Sequence, residues 1–341
     1  FSFSFSFSFS FSFSFSFSHP MTRPIPLARL AALFAFFSTV SSLHAHSPAL
    51  QPLVDRAAQT ALEKYAPQKL LPTQLAITLV DLSSFPSPPS SASSKSSADS
   101  APRASYRGDV QIYPASVIKL FYLAAAHRWM EDGKLNDTPE LRRAMKDMIV
   151  DSSNDATHYV IDVITGTNSG PELPDADIKT WFDRRNAVTH YFASLGYTGV
   201  FAHKKPWSDG PYGRESQAIR LFEPKRNMLT TDATARLFTA IATGQCITAA
   251  RSAEMMTLLA RDLVTKDPDP DNQATFTGPI LPTGAKLWSK AGWTSQTRHD
   301  AAYIELPHGP KFLLVVFTTD HAHERTIIHT VAKVIVDAFS K

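Results

Sequence analysis

The order of helical and strand-like segments restricts the fold of this chain more than any other feature of its sequence. One helix-spaced segment and two strand-like runs come first, a block of helical segments follows, and three strand-like runs and a last helix close the chain. Strands at both ends of a chain pair only when the two ends meet, so we predict one sheet with a helical insertion. The predicted strands are residues 75–81, 106–113, 285–294, 300–306 and 312–318.

Apolar residues at helical spacing predict the helices between and around these strands. They cover residues 48–65, 115–130, 139–150, 154–164, 178–195, 231–243, 252–264 and 324–339. Two segments, 197–227 and 266–282, show little periodicity and are predicted to be irregular. Long irregular segments in a compact domain often carry function. Hydrophobic residues make up 43% of the chain, which is enough for a substantial core and excludes wholesale disorder.

The first 45 residues have the character of segments that precede a folded protein. Residues 1–18 are a pure Phe-Ser repeat, and we interpret residues 1–20 as a low-complexity segment that is not native, with Met21 as the next start. Residues 21–45 combine two arginines, a short apolar run and a small residue, Ala45, which is typical of a cleaved secretory signal. An uncleaved anchor is the alternative. A cleaved signal predicts a periplasmic or secreted protein without a stable membrane span.

The remaining residues, 46–341, are predicted to form a single domain. Residues 83–105 are rich in Ser, Pro and Ala, so we predict a disordered loop between two neighbouring strands. A net charge of +3 argues against nucleic acid as a partner. The single cysteine, Cys246, excludes an internal disulfide framework and a Cys-rich metal site, and nothing in the sequence implies a metal or an organic cofactor. A monomer is the expected state.

Ser116-Val117-Ile118-Lys119 opens the apolar helix predicted at residues 115–130. The spacing of three places the serine and the lysine on one face. A serine hydroxyl becomes a strong nucleophile when a base takes its proton, and a desolvated lysine is neutral enough to do so. The alternative is a non-catalytic envelope module in which Ser116 and Lys119 only pack.

Two further short motifs follow in the sequence. Ser152-Ser153-Asn154 directly precedes a predicted helix, where Ser and Asn are also ordinary N-cap residues. Lys290-Ala291-Gly292 lies in a predicted strand between two tryptophans, and a glycine inside a strand indicates close approach by another part of the chain. A lysine there can also serve only to protect a strand edge.

Together the three motifs resemble the S-x-x-K, S-D-N and K-T-G set of the penicilloyl-serine transferase superfamily, which includes class A β-lactamases and penicillin-binding proteins. The resemblance implies an α+β fold, with a five-stranded antiparallel sheet flanked by terminal helices beside an all-helical region. It also implies a role for each motif residue. Ser116 resembles the acylated nucleophile, Lys119 its proton acceptor, Ser152 the relay to the leaving group, Asn154 the ligand of the substrate amide, and Lys290 the charge beside Ser152 and the substrate carboxylate. After Gly292, the N–H of Trp293 would join that of Ser116 in an oxyanion hole, and Arg298 would bind the carboxylate or else be a solvated charge.

The motifs depart from the family pattern at two positions. Ala291 stands where a hydroxyl residue is usual, which removes one hydrogen bond to a carboxylate, and Ser153 replaces the usual Asp. The motifs do not identify the base that would activate water to hydrolyse the acyl-enzyme. Glu215 is the candidate and Glu223 the competitor, while the alternative is that Glu215 pairs with Arg214 or Arg220.

The sequence therefore predicts an exported serine hydrolase that forms an acyl-enzyme on Ser116 and hydrolyses β-lactams or another peptidoglycan-like acyl substrate. A D,D-peptidase or esterase and a penicillin-binding sensor remain as alternatives. The adjacent His299 and Asp300 suggest a Ser-His-Asp triad as a further alternative. No serine of the chain lies in a G-x-S-x-G elbow, however, and Ser116 has a nearer base in Lys119.

Overall fold

Strands from the early and the late parts of the described chain pair in one antiparallel sheet of six strands. The computed structural model describes residues 46–85, 98–207, 210–265, 269–307 and 309–340. Its strands are β1 Leu75–Asp81, β2 Arg103–Tyr106, β3 Ala260–Arg261, β4 Lys286–Trp293, β5 Thr297–Glu305 and β6 Lys311–Thr319. Their order is β2-β1-β6-β5-β4-β3, and every neighbouring pair is antiparallel. The predicted sheet from both chain ends is confirmed.

The prediction of five strands was wrong by one. The extra strand, β3, has two residues, pairs with Leu287 and Trp288 of β4, and lies inside the helix predicted at residues 252–264. A two-residue strand has no periodicity of its own, so only its pairing partner defines it. β2 also lies earlier than predicted, because pairing with β1 begins at Arg103 within the predicted loop 83–105.

Eleven α-helices occur among the described residues. They are α1 Gln51–Lys64, α2 Lys119–Glu131, α3 Pro139–Ile149, α4 Asn154–Thr165, α5 Asp175–Arg185, α6 Ala187–Ser194, α7 Gly213–Leu221, α8 Thr231–Ala242, α9 Ala249–Leu259, α10 Ala274–Thr277 and α11 Thr326–Phe339. Within the described ranges, none of them has the length and apolar character that a bilayer span requires. The Phe-Ser segment, the signal predicted at residues 21–45 and residues 86–97 of the predicted loop lie outside the described residues.

Local caps explain several helix ends. Thr138 accepts a hydrogen bond from Leu141 N at the start of α3, and Ser153 accepts one from Ala156 N at the start of α4. The helix predicted at 178–195 is instead two helices, α5 and α6, joined at Asn186, whose side chain bonds the carbonyl of Phe182. α7 lies inside the segment predicted to be irregular.

The sheet is buried on both faces, and β6 shows how. Phe312, Leu314 and Val316 face a core formed with α1 and α11, because alternate residues of a strand point to opposite sides. Leu313, Val315 and Phe317 face the larger core that the other helices build. The three sequence motifs lie on this second side, where the turn Ala115–Ile118 that precedes α2 contacts β4.

Candidate active site

The candidate nucleophile lies in a short 3₁₀ turn, Ala115–Ile118, that leads into α2. Side chains three residues apart eclipse in a 3₁₀ helix, so Ser116 and Lys119 share one face of this turn. Ala115 has a φ of 45°, a conformation that residues with a side chain rarely adopt. Among the described residues, Ser116 Oγ makes no hydrogen bond, so its lone pairs face no competing donor.

Lys119 is fully buried and held by three close acceptors. Its Nζ donates to the carbonyl of Ser152 at 2.6 Å, to Ser152 Oγ at 3.2 Å and to Asn154 Oδ1 at 2.9 Å. Burial disfavours the charged amine and lowers the pKa of Lys119 to about 7. An amine with this pKa exchanges protons near neutral pH, as a general base must.

Ser152 connects the two lysines of the site. It lies between α3 and α4 with a φ of 55°, and its Oγ accepts from Lys119 Nζ at 3.2 Å and from Lys290 Nζ at 3.0 Å. Asn154 follows at the first position of α4, where the Ser153 cap fixes the start of the helix. The structure therefore brings Lys119, Ser152, Asn154 and Lys290 into one hydrogen-bonded cluster.

Lys290 comes from β4 and has no exposed surface. Besides Ser152 Oγ, its Nζ donates to Gln273 Oε1 at 2.7 Å and to its neighbour's carbonyl, Ala291 O, at 2.8 Å. Burial first, and then the positive charges of Lys119 and Arg261, hold the pKa of Lys290 well below its usual range, against the opposing influence of Asp300.

Gln273 is the site residue that sequence analysis missed. Its Oε1 accepts from Lys290 Nζ and, at 3.1 Å, from Ala291 N, while its Nε2 donates to the carbonyls of Ile149 and Val150 at 2.8 Å each. The partners of Oε1 are nitrogen donors and those of Nε2 are carbonyl acceptors, so only one orientation of the amide satisfies all four hydrogen bonds. Gln273 thus ties β4 to the end of α3, just before Ser152. It lies in a segment predicted to be irregular, so no sequence pattern marked it.

Gln273→Met keeps the length of the side chain and removes these hydrogen bonds, so Lys290 and Ser152 lose their fixed separation. We expect this variant to lower the acylation rate constant by about tenfold or more, with little change in KM. Stopped-flow acylation kinetics measure both parameters. Gln296→Met, at an exposed position in the β4–β5 turn, is the matched control. An equal loss in both variants, or none in either, would remove the positioning role from Gln273.

Gly292 permits β4 to approach the nucleophile turn. A Cβ built on Gly292 would lie 2.7 Å from Pro114 O and 2.8 Å from Ser116 N, so a side chain does not fit there. Thr294 N donates to Thr297 O on β5, whereas Ala291 N donates away from β5 to Gln273. Antiparallel ladders alternate, so the N–H of Trp293 also points away from β5, beyond the end of β3. Gly292, the residue before Trp293, lies against the turn that contains Ser116 N.

His299 does not form a triad with Ser116. Its Nδ1 accepts from Thr318 N at 3.1 Å, so its Nε2 carries the proton and donates to Tyr113 O at 2.9 Å. Both ring nitrogens are therefore hydrogen-bonded within the protein, and His299 links β5 to Tyr113, which lies just before Ser116 in the sequence. Asp300 points elsewhere, with its Oδ2 accepting from Thr277 at 2.6 Å. Burial raises the pKa of Asp300 to about 6.

Arg298 lies opposite Trp293 on β5, but its guanidinium is held inside the protein. Its Nη1 donates to Asp271 at 2.8 Å, the guanidinium lies 3.7 Å from the centre of the Phe276 ring, and the residue is 3% exposed. The structure therefore presents neither the open carboxylate ligand nor the solvated charge that the sequence left as alternatives.

Glu215 belongs to a separate, buried network of charges. It is 4% exposed at the start of α7, accepts from Arg185 Nη2 at 3.0 Å and from Ser169 at 2.9 Å, and lies 3.9 Å from Lys205 Nζ. Asp162 of α4 contacts the same arginine and lysine. Among the described residues, none of these groups contacts Lys119 or Ser152.

Neither arginine that the sequence offered as an ion-pair partner binds Glu215. Arg214 donates to Asn168 and Pro171, and Arg220 pairs with Glu172, so neither is the partner of Glu215. The competitor Glu223 has an exposed side chain that pairs with Lys225. In the described ranges, no set of three His, Cys, Asp or Glu side chains is placed to hold a metal ion.

Comparison with known proteins identifies the family and the fold of this chain. A family model described as the β-lactamase enzyme family matches residues 136–339. No curated protein sequence gives a significant match. Many solved structures do match.

A β-lactamase from Sphaerobacter thermophilus is 19% identical, with a TM-score of 0.57 over 85% of this chain and 97% of that one. A β-lactamase from Chitinophaga pinensis is 16% identical, with a TM-score of 0.56 over 83% of this chain and 99% of that one. A PBP-A variant, solved as an acyl-enzyme complex with penicillin G, is 16% identical, with a TM-score of 0.58 over 84% and 97% of the two chains. These similarities establish a shared fold, and because the family model matches more than half of the sequence, this chain belongs to the β-lactamase enzyme family.

Proposed function

We propose that this protein is a serine hydrolase that forms an acyl-enzyme on Ser116 with β-lactams or related acyl compounds. The observation that carries the proposal is the hydrogen-bonded chain from Lys119 through Ser152 to Lys290, built beside the turn that presents Ser116. A nucleophile, a base with a pKa near neutrality and a proton path to a leaving group are the requirements of acyl transfer.

The geometry supports a sequence of proton transfers. Ser116 Oγ attacks the acyl carbon while Lys119, in its neutral form, accepts the serine proton. The developing oxyanion is bound by the N–H groups of Ser116 and Trp293. Ser152 passes a proton from the Lys119 side to the leaving nitrogen or oxygen, and Lys290 stabilises negative charge on Ser152 during the transfer.

The position of Glu215 favours a second candidate, in which the acyl-enzyme forms but is hydrolysed slowly. In the described part of the chain, no carboxylate contacts Lys119, and Glu215 is already paired with Arg185. A penicillin-binding peptidase needs the acylation machinery but no fast base for hydrolysis of a penicilloyl adduct. The acyl-enzyme of the structurally similar PBP-A variant with penicillin G supports the same alternative.

Incubation with a fluorescent penicillin, followed by intact mass over time, tests the proposal. Mass addition that maps to Ser116 is expected. Rapid loss of the adduct with release of hydrolysed penicillin supports β-lactam hydrolysis, and a long-lived adduct supports the peptidase alternative. The absence of any adduct at saturating probe contradicts both.

Acylation should depend on pH through Lys119. Below its pKa of about 7 the amine is protonated and accepts no proton, so kcat/KM should rise with pH and level off above neutrality. Second-order acylation rate constants between pH 5 and 9 measure this profile. A rate that is flat from pH 5, or that rises only above pH 9, would place the proton acceptor elsewhere.

A further inference from the structure

We propose that His158 of α4 is the general base that activates water to hydrolyse the acyl-enzyme on Ser116. This inference rests on the proposed function and assigns the one step of it that has no base among the residues named so far. Glu215 lies in a buried network of ion pairs, and Glu223 has an exposed side chain paired with Lys225. A neutral imidazole takes the place of a carboxylate in this step.

His158 lies on the face of α4 that meets the catalytic cluster. It follows Asn154 by four residues, and residues at this spacing share one face of a helix about one turn, or about 5.4 Å, apart. Asn154 Oδ1 accepts from Lys119 Nζ at 2.9 Å, so this face of α4 meets the start of α2. A general base can act through one water molecule, so His158 need not touch the acyl group on Ser116.

The loop segment 204–206 crosses the second turns of both helices. Tyr122, three residues after Lys119, donates its hydroxyl to Lys204 O at 3.1 Å, and the ring of His158 is bonded through Nε2 to Pro206 O. These two contacts fix the segment, and with it the imidazole, one helical turn from the first residues of α2 and α4. Lys119 and Tyr122 are the titratable groups that α2 turns toward α4 and this segment.

The hydrogen bond to Pro206 sets the tautomer of His158. A carbonyl oxygen only accepts, so Nε2 carries the proton and Nδ1 holds a lone pair, for which the described residues provide no partner. The side chain is half-buried, which leaves the ring partly accessible to water. One nitrogen free to accept a proton and the other bonded to hold the ring is the arrangement that a general base requires. His299, with both nitrogens bonded, lacks it.

Aromatic packing also holds the imidazole in place. The centre of the His158 ring lies 4.5 Å from that of Trp207, and Trp207 packs edge-on against Tyr212 at 5.6 Å. A ring held by a hydrogen bond at one end and by a neighbouring ring on its face keeps a fixed direction for Nδ1. Such preorganisation is what an attacking water needs from its base.

The surroundings of His158 keep the ring neutral. Burial, the largest cause, and the positive charge of Lys205 lower the pKa of His158 from its usual 6.5. The hydrogen bond to Pro206 and the carboxylates of Asp155 and Asp162 act in the opposite direction without restoring that value. At pH 7 the imidazole therefore carries a free lone pair and can accept a proton from water.

The deacylation step is balanced with water as the only co-reactant. The water oxygen bonds to the acyl carbon, and one water proton moves to His158 Nδ1. The bond from the acyl carbon to Ser116 Oγ then breaks, and His158 returns the proton to that oxygen. The products are a free acid and the regenerated serine. Lys119 is ready for the next serine proton, because it passed the previous one to the leaving group during acylation.

Acyl-enzyme lifetimes of two variants test the role of His158 in the full protein. His158→Phe keeps an aromatic ring, whereas His158→Gln keeps a donor for Pro206 O but has no basic nitrogen. After brief incubation with the fluorescent penicillin and removal of the excess, intact mass over time gives the deacylation rate constant. We expect this constant to fall about a hundredfold in both variants, while the acylation rate constant changes by less than about threefold.

His190→Gln is the matched control, since His190 is an exposed histidine of α6 and its loss should leave both rate constants unchanged. Wild-type deacylation in His158→Gln would show that the ring only supports the loop segment and would overturn the inference. An acyl-enzyme that is equally long-lived in the wild type and both variants would overturn it as well, but would leave the proposed function intact. Failure of the wild type to acylate Ser116 would contradict the proposed function and the inference with it.

The pH dependence supplies a second measurement that a packing role would not change. Deacylation should rise with pH as His158 loses its proton and should level off at a lower pH than acylation, which follows the Lys119 pKa of about 7. In His158→Gln the residual deacylation should lose this lower titration. Wild-type profiles that coincide for the two steps would make Lys119 the base of both and would overturn the inference.

Discussion

Replacing Ser116 by alanine is expected to abolish covalent labelling by penicillin. The hydroxyl oxygen is the atom that bonds to the acyl carbon, so its removal leaves Lys119, Ser152 and Lys290 in place but with no nucleophile. We expect the acylation rate to fall by at least about a thousandfold, to the background of the uncatalysed reaction. Intact mass spectrometry after incubation with the fluorescent penicillin measures the loss.

Ser295→Ala is the control for Ser116→Ala. Ser295 is an exposed serine in the β4–β5 turn, two residues after Trp293, and its loss should leave labelling unchanged. If Ser116→Ala still gained the mass of the probe at the wild-type rate, another hydroxyl would be the nucleophile. Peptide mapping of the adduct would then identify it.

Replacing Glu215 by glutamine is expected to destabilise the protein rather than to trap an acyl-enzyme. The carboxylate pairs with Arg185, which is 1% exposed, and lies near Lys205 in the same buried network. Without the Glu215 carboxylate, Arg185 and Lys205 share a single carboxylate, Asp162, and we expect this loss of compensation to cost about 3 kcal/mol, the low end for a broken buried pair. Urea unfolding should therefore show a lower midpoint with an unchanged slope.

Deacylation supplies the second measurement on the same variant. Because Glu215 is bonded to Arg185 and Ser169, we expect the half-life of the acyl-enzyme to change little in Glu215→Gln. Glu172→Gln is the matched control, since Glu172 forms an exposed pair with Arg220 and its loss should cost less than about 0.5 kcal/mol. Normal stability together with a trapped acyl-enzyme would make Glu215 the catalytic base.

The fold was predictable because its signals are local. Residues 75–81 alternate between two apolar cores, and the ends of α3 and α4 are marked by Thr138 and Ser153, whose caps involve neighbours three residues away. β3 and α7 were missed for the opposite reason. Two residues of strand are defined only by β4, and α7 is fixed by contacts with distant residues such as Leu173 and Ser169.

The candidate site was only partly predictable. The three motifs marked Ser116, Lys119, Ser152 and Lys290, and the structure brings the last three into direct contact. Gln273 carried no signal, since its role depends on reaching β4 and the end of α3 at once. The nearest charged neighbours of Glu215 in the sequence also proved to be the wrong partners, because a helix turns adjacent side chains in different directions.

The sequence by itself determined the order of most strands and helices and the identity of the motif residues, because periodicity, caps and short motifs act over a few residues. Only the tertiary structure decided which charges are available to a substrate. Arg298 is opposite Trp293 in register, yet Asp271 and Phe276 hold its guanidinium. Glu215 lies in the segment predicted to be irregular, yet its carboxylate is paired with Arg185. A buried charge must find a partner, and that partner is chosen by packing between distant segments that no local pattern records.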